Sequence, residues 1–476
     1  MDKMKLFTIL SFLLCLTILI YLIKSNQSAV YDIRSKEHYD NIPFIKNASI
    51  LQKIRFMGSP CLCQNNIPDL KSSVSKDKLE ATDERRTKEY KTSQMRIHRD
   101  KILIAPSNSP LQYPAHGFSV VPLKITSIPG LGVNSQGRGV YKVTLRVSLG
   151  VLSVDGDLMN QVIEGQGGNV LSLSVTSVEI LNKILAKITY TSSIYHLKTT
   201  DMAHFIYEDY EAMFPIEIKR PAVPVLYDQG NDINSQVTIT TKTFLRYKEL
   251  RALIKSIRRR YPDMKIIIAD DNFDTEKVEG PSIEQYFMPP SQGWFAGRNL
   301  AVSQVTTKYF LWVDDDYEFL DQTNIEKFVE IMEAVPDLDV LGGSVDGGRF
   351  YFTLEYEEGD EEEGGCLSRN QGGKYHNIPG FDHCFLTDGV VNFFLARTDS
   401  VRKVGFDPQL RRVAHSEFFM DGLGKLMVAS CNGFAVGHQT RQKNAKYDGF
   451  RHPGQTDTEF KLAHHYFKNH LKCVKY

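Results

Sequence analysis

Alternation between buried strands and amphipathic helices over residues 236–476 constrains the fold of this chain more than any other feature. Three short runs are predicted strands: residues 237–240 (VTIT), 265–269 (KIIIA) and 309–313 (YFLWV). The segments between them have the apolar spacing of helices, as at Leu250 and Ile254. Strands alternating with helices are typical of a mostly parallel sheet, in which ligands bind beyond the carboxyl ends of the strands. The pattern therefore predicts an α/β domain with its site at that edge.

The preceding part of the chain is predicted to form four segments. Residues 6–23 are uncharged and apolar, and at 1.5 Å per residue they span about 27 Å, enough for a thin bilayer. We expect an uncleaved signal anchor there, behind a cytoplasmic tail at residues 1–5; a cleaved signal peptide is the alternative. Residues 24–101 are polar and highly charged, which predicts a stem. Residues 102–221 contain short runs rich in Val, Ile and Thr with period-two alternation, which predicts a β-rich lumenal domain.

Charge and composition narrow the function classes. Lys and Arg total 57, and Asp and Glu total 57, so the formal net charge is 0. Such a chain has no positive field to hold a phosphate backbone, and nucleic acid is excluded as the main partner. The apolar fraction of 42% is enough for a sizeable core and excludes wholesale disorder.

Six cysteines follow the apolar stretch, in agreement with an oxidising lumenal compartment and three disulfides. They are Cys61, Cys63, Cys366, Cys384, Cys431 and Cys473. Cys61 and Cys63 lie too close in sequence to pair easily with each other, so each is expected to pair elsewhere; a second copy of the chain, and thus a homodimer, stays open. A zinc site is the alternative. Asn47 begins an Asn-Ala-Ser sequon and is a predicted glycosylation site.

Three aspartates, Asp314, Asp315 and Asp316, follow directly after the third predicted strand. Two carboxylates at i and i+2 can face one hard divalent cation, and Mg²⁺ or Mn²⁺ prefers such oxygen ligands together with those of a diphosphate. A second acidic pair, Asp270 and Asp271, follows another buried strand. The pattern predicts a metal and nucleotide site with Asp314 and Asp316 as metal ligands; an acidic surface turn is the alternative.

Two helical motifs suit the same site. Arg298, followed by Asn299, lies near the start of a predicted helix and could place a guanidinium near a diphosphate; an exposed arginine is the alternative. Glu417 and Asp421 are four residues apart and share one helix face among aromatic residues. Such surroundings raise the pKa of a carboxylate, which suits a general base. A buried, hydrogen-bonded glutamate is the alternative.

Residues at the ends of other strands complete the set of candidates. His438 follows a hydrophobic strand and could be a third metal ligand, although a lone histidine is more often structural. Asn392 and Phe393 close another strand and are candidates for the floor of an acceptor site, with a place in the core as the alternative. Trp294 and Phe393 could stack on the apolar faces of sugars.

Five longer motifs surround these residues: TKTFLR from Thr241, GWFAGRNLAVSQVTTKY from Gly293, LWVDDDYEF from Leu311, VVNFFLA from Val390 and RVAHSEFFMDGLG from Arg412. They resemble the β1,4-N-acetylgalactosaminyltransferases and, within that family, the branch that makes the Sd(a)/Cad carbohydrate determinant. The sequences CLC at 61–63, HSE at 415–417 and HYFKNHL at 465–471 favour this branch over the ganglioside-synthase branch. The likeness extends from about Cys61 to the C-terminus.

The resemblance implies a type II Golgi membrane protein whose lumenal catalytic domain, residues 236–476, has the GT-A nucleotide-sugar-binding (Rossmann-like) fold. It also implies inverting transfer of GalNAc from UDP-GalNAc, with Mn²⁺ or Mg²⁺. The acceptor would be the 4-hydroxyl of a galactose in an α2,3-sialylated glycan on a glycoprotein or glycolipid.

The family's site residues carry over to matching positions in this sequence. Asp314, Asp316 and His438 would hold the metal, and Glu417 would be the base, with Asp421 as the alternative. Trp294, Asn392 and Phe393 would contact the acceptor. The residues expected to contact the nucleotide sugar are Thr241, Lys242, Asp270, Asp271, Arg298, Asn299, Asp314 and Asp315. A basic group among Arg411, Arg412 and Lys443 would bind the carboxylate of a sialylated acceptor.

Three other functions stay open at this point. A ganglioside-type transferase acting on sialyl-lactosylceramide would keep every catalytic residue. A non-catalytic Golgi sugar-binding protein would be expected to lack an acidic pair or a base, and this sequence lacks neither. A nucleotide hydrolase would release free sugar without an acceptor.

Overall fold

The computed structural model describes residues 61, 63, 67, 69–96, 110–135, 139–156, 162–227, 230, 232–411, 414–440, 444–451 and 454–476. The predicted membrane anchor at residues 6–23 and the predicted glycosylation site Asn47 lie outside these residues. Within the part that is described, no helix is both long and apolar enough to cross a bilayer.

Residues 111–218 form the β-rich part of the chain. A six-stranded sheet has the order Phe118–Val120, Tyr210–Ile218, Thr199–Tyr207, Tyr141–Arg146, Val170–Val175 and Val162–Glu164. A three-stranded sheet has the order Thr126–Ser127, Ile188–Ser192 and Gly150–Val154, and Leu111–Gln112 pairs with Gly132–Val133. Side chains along Tyr141–Arg146 alternate between the core and the outside, as the sequence predicts. Helix Val178–Leu185 packs into the same core through Leu181, Ile184 and Leu185.

A ten-stranded mixed sheet organises the following region. Its main path runs through Ile283–Phe287, Ile266–Asp270, Val237–Thr243, Tyr309–Trp312, Phe394–Arg397, Val340–Val345, Val428–His438, Phe381–Thr387 and Asn377–Ile378, with Tyr317–Phe319 paired to Val428–His438. The first four strands on this path are parallel to one another. The strands Val237–Thr243, Ile266–Asp270 and Tyr309–Trp312 are buried at every position. The last two therefore appear in the sequence as mainly apolar runs, whereas the first is rich in threonine.

Helices cover the sheet and complete its core. They are Ile233–Gln236, Tyr247–Arg260, Trp294–Ser303, Ile325–Ala334, Thr398–Val404, His415–Gly422, Ala445–Arg451 and Gln455–Lys468, with a 3₁₀ turn at Pro408–Leu410. Helix Tyr247–Arg260 buries Leu250, Leu253, Ile254 and Ile257. It ends in three arginines, whose charge complements the partial negative charge at a helix C-terminus.

A smaller four-stranded sheet lies in the same region. Its order is Gly389–Val390, Tyr351–Asp360, Gly364–Gln371 and Leu471–Lys475. Two disulfides join the chain near residue 61 to this sheet, Cys61–Cys366 and Cys63–Cys473, and Cys384–Cys431 joins two strands of the large sheet. The expectation that Cys61 and Cys63 do not pair with each other is confirmed, and in this single chain the six cysteines form three disulfides.

The described part of the predicted stem packs against this C-terminal region. A 3₁₀ turn, Leu70–Ser73, is followed by helix Leu79–Arg96. Arg86 is only 2% exposed and donates to the carbonyl oxygens of Tyr466, Glu362 and Glu363 at 2.7, 3.1 and 2.8 Å. A charged helix is therefore held by a buried guanidinium, a feature that the pattern of apolar residues does not reveal.

Candidate active site

A cavity of about 510 Å³ opens at the carboxyl ends of the parallel strands. Its charged and histidine lining residues are Lys242, Arg246, Asp271, Asp314, Asp316, Arg411, His415, His438 and Asp457. Its aromatic lining residues are Phe244, Trp294, Phe295, Tyr317, Tyr447 and Phe450, and Ser291, Gly293, Asn392 and Ala414 complete the wall. The strand ends thus bring together carboxylates, cations and aromatic rings.

Asp314 is held in place by its neighbours in the sequence and in the sheet. The buried indole Nε1 of Trp312 donates to Asp314 Oδ1 at 3.0 Å. Asn392 Nδ2 donates to Asp314 Oδ2 at 3.1 Å. Burial raises the pKa of Asp314, with the charge of Asp316 acting in the same direction and that of Arg298 against it.

Asp316 lies between two basic side chains. Arg246 Nη1 is 2.5 Å from Asp316 Oδ2, and His438 Nε2 is 3.4 Å from the same oxygen. His438 reaches this place because its strand pairs with the short strand after the aspartates, with Tyr317 opposite His438. The structure therefore brings the three predicted metal ligands into one cavity.

The donor set fits a divalent cation. Asp314 and Asp316 supply carboxylate oxygens and His438 supplies an imidazole nitrogen, a combination that suits Mn²⁺ and accommodates Mg²⁺. Two carboxylates in a largely buried setting also need positive charge, which Arg246 supplies to Asp316.

Asp315 does not line the main cavity. It is 1% exposed, forms an ion pair with Arg246 and lines a small recess beside the cavity. Burial raises the pKa of Asp315 to about 7, with Arg246 acting in the opposite direction. Asp315 and Asp316 lie in a tight turn, closed by the bond from the Tyr317 N–H to the Asp314 carbonyl at 3.1 Å, and in this turn Asp315 is directed away from the main cavity.

Asp271 and Lys242 form a buried ion pair in the cavity wall, with Lys242 Nζ 2.6 Å from Asp271 Oδ1. Asp271 Oδ2 also accepts from the backbone N–H of Gly293 at 2.9 Å, just before helix Trp294–Ser303. Burial lowers the pKa of Lys242, with Asp271 opposing this. Gly293 has a φ of +94°, and a Cβ there would lie 2.8 Å from Arg411 Cα, so the position requires glycine.

Asp270, predicted to contact the nucleotide sugar, lies outside the cavity. Its carboxylate accepts from Tyr247 Oη at 2.6 Å, Gln285 Nε2 at 2.7 Å, and the backbone N–H and Nδ2 of Asn272 at 3.0 and 2.7 Å. These bonds occupy its oxygens and hold the loop after strand Ile266–Asp270, so in this structure Asp270 stabilises the fold.

Arg298 also lies behind the cavity wall. Its guanidinium is 4.5 Å from the ring centre of Trp312, and Nη2 donates to Asn392 Oδ1 at 2.7 Å and lies 3.8 Å from Asp314 Oδ1. Burial lowers the pKa of Arg298 to about 10, against the effect of Asp314. Arg298 orients Asn392 and Asp314, and the structure gives it no path to a diphosphate.

Two other predicted nucleotide contacts are structural as well. Asn299 Nδ2 donates to the carbonyl of Phe406, and Asn299 Oδ1 accepts from the Phe406 N–H at 2.9 Å. Thr241 is fully buried within strand Val237–Thr243. Neither residue lines the cavity.

Some of the predicted acceptor residues line the cavity and one is buried in the core. Trp294 and Asn392 line the cavity, whereas Phe393 is fully buried and packs edge-on against Phe328 at 5.5 Å. The expectation that Phe393 contacts a sugar is therefore wrong for this structure. Arg411 lines the cavity; Arg412 and Lys443 lie outside the described residues.

Neither predicted base reaches the cavity. Glu417 is 1% exposed, is ion-paired with Lys461 and lies 3.8 Å from His465 Nε2. Asp421 accepts from Lys468 Nζ at 2.6 Å and from Asn469 Nδ2 at 3.2 Å. Both carboxylates face helix Gln455–Lys468 and the residue after it, on the side of their helix away from the cavity.

The predicted pKa of Glu417 is wrong in sign. Burial alone would raise this pKa, but the nearby positive charges of His465 and Lys461 bring it down to about 2. The aromatic neighbours were visible in the sequence, while Lys461 is distant in sequence.

Sequence reasoning missed several cavity residues. Arg246 ends the TKTFLR motif and His415 opens the HSEFF segment, so motif membership was the available signal for both. Arg246 also lies 4.4 Å from the ring centre of Tyr447. Tyr447, Phe450 and Asp457 come from the C-terminal helices, for which the sequence offered no signal.

Known proteins resemble this chain at two levels. Residues 238–388 match the model of glycosyl transferase family 2, in agreement with the expected GT-A fold. Beta-1,4 N-acetylgalactosaminyltransferase 2 of Mus musculus is 46% identical over 408 residues, which are 83% of this chain and 79% of that protein. Beta-1,4 N-acetylgalactosaminyltransferase 1 of Homo sapiens is 45% identical over 433 residues, covering 85% and 81%. A crystal structure of S. aureus TarS with UDP-GlcNAc covers 48% of this chain and 64% of that one, at 13% identity and a TM-score of 0.35, too low to support an argument.

Proposed function

Because this chain belongs to the β1,4-N-acetylgalactosaminyltransferase family, we propose that it transfers GalNAc from UDP-GalNAc to a galactose of an α2,3-sialylated glycan. The new bond would be β1,4, formed with inversion in one displacement. The observation that carries the proposal is the cavity in which Asp314, Asp316 and His438 meet at the carboxyl ends of the parallel strands.

The donor's diphosphate would lie at this end of the cavity. Asp314, Asp316 and His438 would hold Mn²⁺ or Mg²⁺, which when bound offsets negative charge on the departing UDP. Arg246 and Lys242 add positive charge to the same wall. These cations suit a nucleoside diphosphate, because charged hydrogen bonds to phosphate oxygens are stronger than neutral ones.

The chain's own residues would also orient the sugars. Trp294 presents an indole to the cavity on which an apolar sugar face can stack. Asn392 is fixed by hydrogen bonds to Arg298 and Asp314, so it holds the carboxylate in one orientation. The exposed guanidinium of Arg411 would pair with the carboxylate of a sialylated acceptor.

The acceptor is the finer part of the proposal. The chain is 46% identical to the mouse β1,4-N-acetylgalactosaminyltransferase 2 and 45% identical to the human β1,4-N-acetylgalactosaminyltransferase 1, so overall identity favours neither branch. The motifs at 61–63, 415–417 and 465–471 favour an Sd(a)/Cad-type acceptor. A ganglioside-type transferase acting on sialyl-lactosylceramide is the second candidate, favoured by the nearly equal identity to the human relative.

We also propose that the protein is a single-pass type II protein of the Golgi membrane with its catalytic domain in the lumen. The apolar residues 6–23 support an anchor. Three disulfides support an oxidising compartment. Blocking glycosylation at Asn47 and mapping protease protection in intact microsomes would test this topology.

An acceptor panel tests the proposed activity. The full chain in detergent would receive Mn²⁺ and UDP-GalNAc, with sialyl-lactosamine, sialyl-lactose or sialyl-lactosylceramide as acceptor. UDP-GlcNAc and UDP-galactose serve as donor controls. Transfer to sialyl-lactosamine supports the Sd(a)-type function, and transfer to the lipid acceptor alone selects the second candidate. No transfer from UDP-GalNAc to any acceptor would overturn the proposal.

A further inference from the structure

The cavity needs a group that accepts a proton, and the two carboxylates expected to do so lie elsewhere. Glu417 and Asp421 both face helix Gln455–Lys468 and the residue after it and are ion-paired with its lysines. An attacking acceptor hydroxyl nevertheless must lose its proton as it bonds to the sugar.

Most acidic groups in the cavity wall already have other partners. Asp314 and Asp316 would hold the cation, and Asp271 is ion-paired with Lys242. Asp457 accepts from the N–H of Gly454 at 2.9 Å at the start of its helix. Histidine is then the remaining side chain in this wall whose neutral form can accept a proton.

His415 is the first residue of helix His415–Gly422 and lines the cavity beside Ala414. Its Nδ1 is buried and has no hydrogen-bond partner among the described residues. The ring is held by edge-on contacts with Phe350 and Phe419, at 5.4 and 5.9 Å between ring centres. Aromatic packing thus fixes the imidazole without occupying Nδ1.

We propose that the imidazole of His415 is the general base of the reaction, an assignment that rests on the proposed function. The acceptor oxygen forms its bond to C1 of GalNAc while the bond from C1 to the diphosphate oxygen breaks. The electron pair of that bond leaves with UDP. The hydroxyl proton passes to the unprotonated imidazole nitrogen and is later released to water.

Burial and the charges around His415 set its protonation state. Burial lowers the pKa of His415 to about 4, and the nearby charges of Arg298 and Arg369 act in the same direction. Glu417 and the carbonyl of Val390 act in the opposite direction. The ring is therefore neutral at physiological pH, the protonation state that a proton acceptor requires, and it is a weaker base than a free imidazole.

Glu417 then has a structural role in the helix that begins with His415. Its ion pair with Lys461 ties helix His415–Gly422 to helix Gln455–Lys468. Because His415 begins the former helix, Glu417 is a positioning residue for the base. This explains why both residues lie in one motif although only one lines the cavity.

Two variants of the full chain test the base. His415→Phe keeps a ring against Phe350 and Phe419 but removes both nitrogens, and His415→Ala leaves room for free imidazole. We expect kcat to fall by about 10²- to 10⁴-fold in both variants, with UDP affinity within about threefold of wild type. Added imidazole should restore part of the rate to His415→Ala and none to His415→Phe. The exposed His376→Ala is the matched control and should keep the wild-type rate.

The pH profile supplies a second readout. Wild-type kcat/KM should fall as pH is lowered through the pKa of His415, and His415→Phe should lack this limb. Wild-type-like kcat in both variants, or loss of UDP affinity without rescue by imidazole, would overturn the assignment. An inactive wild-type protein would instead refute the proposed function, so the two failures are distinguishable.

Discussion

Replacing Glu417 with glutamine is expected to lower the stability of the protein more than it slows the chemical step. The carboxylate is 1% exposed and ion-paired with Lys461, and His465 lies 3.8 Å away. Glutamine keeps the size of the side chain but removes the charge. Lys461 would then be a largely buried cation without its partner.

The size of the effect follows from the pKa. The pKa of Glu417 falls from an ordinary 4.5 to about 2. At about 1.4 kcal/mol per pKa unit, the ionised form contributes roughly 3 kcal/mol to folding, and burial of Lys461 offsets part of this. Breaking one partner of a buried pair costs a similar amount, about 3–5 kcal/mol. For a domain of this size, 3 kcal/mol lowers the midpoint of thermal unfolding by roughly 6–12 °C.

The dependence on pH has a definite direction. Because the folded pKa of Glu417 is below the unfolded value, its contribution is fully present above pH 4.5 and is lost as the pH falls towards 2. The stabilities of wild type and Glu417→Gln should therefore converge in acid.

Thermal unfolding followed by circular dichroism, together with kcat on the best acceptor, shows whether Glu417 acts mainly in stability or in the chemical step. The double variant Glu417→Gln/Lys461→Met should recover much of the lost stability, since it leaves no unpaired charge. Glu279→Gln, at an exposed ion pair with Lys277, is the surface control and should leave the midpoint unchanged. An unchanged midpoint with kcat reduced a thousandfold would refute this reasoning and return Glu417 to the role of base.

Three further variants test the cavity. Asp316→Asn should weaken Mn²⁺ affinity by at least about 10-fold, because it alters a direct ligand and losing even an outer-shell partner costs about 10- to 100-fold. Titration calorimetry with UDP at graded Mn²⁺ would measure this, and unchanged affinity would exclude Asp316 as a ligand. Gly293→Ala should cost about 1–3 kcal/mol, because φ is +94° and the new Cβ would lie 2.8 Å from Arg411 Cα; a wild-type melting curve would contradict this. Arg246→Met should cost about 3–5 kcal/mol, because it leaves the buried carboxylate of Asp315 without its cation and removes one cation from the partly buried Asp316. Arg259→Met, at an exposed pair, should cost less than about 1 kcal/mol. Denaturant unfolding would measure the loss of unfolding free energy in both arginine variants, and equal losses would contradict this reasoning.

The sequence predicted the edge of the sheet at which the site lies. Strands Ile266–Asp270 and Tyr309–Trp312 are buried throughout, so their apolar runs were unambiguous, and the acidic residues after them marked their carboxyl ends. Parallel strands bring such ends together whatever the details of packing. Asp314 and Asp316 could be chosen because carboxylates at i and i+2 on a tight turn can face one divalent cation.

The choice between neighbours could not be made in this way. Two pairs of adjacent residues illustrate this: Asp270 with Asp271, and Asn392 with Phe393. The members of each pair differ in which side of the chain they face. In each pair one residue lines the cavity and the other is buried among residues of the fold. Motif membership does not contain this information, because a whole motif is shared by residues on both faces.

Long-range partners were beyond the sequence for a different reason. The sequence by itself determined the parallel strands, the acidic turn after Trp312 and the six cysteines, because each depends on local residue order. Only the tertiary structure decided that Lys461 neutralises Glu417 and that His415 faces the cavity. Burial and charge at a point depend on every element packed there, and those elements lie far apart in the chain.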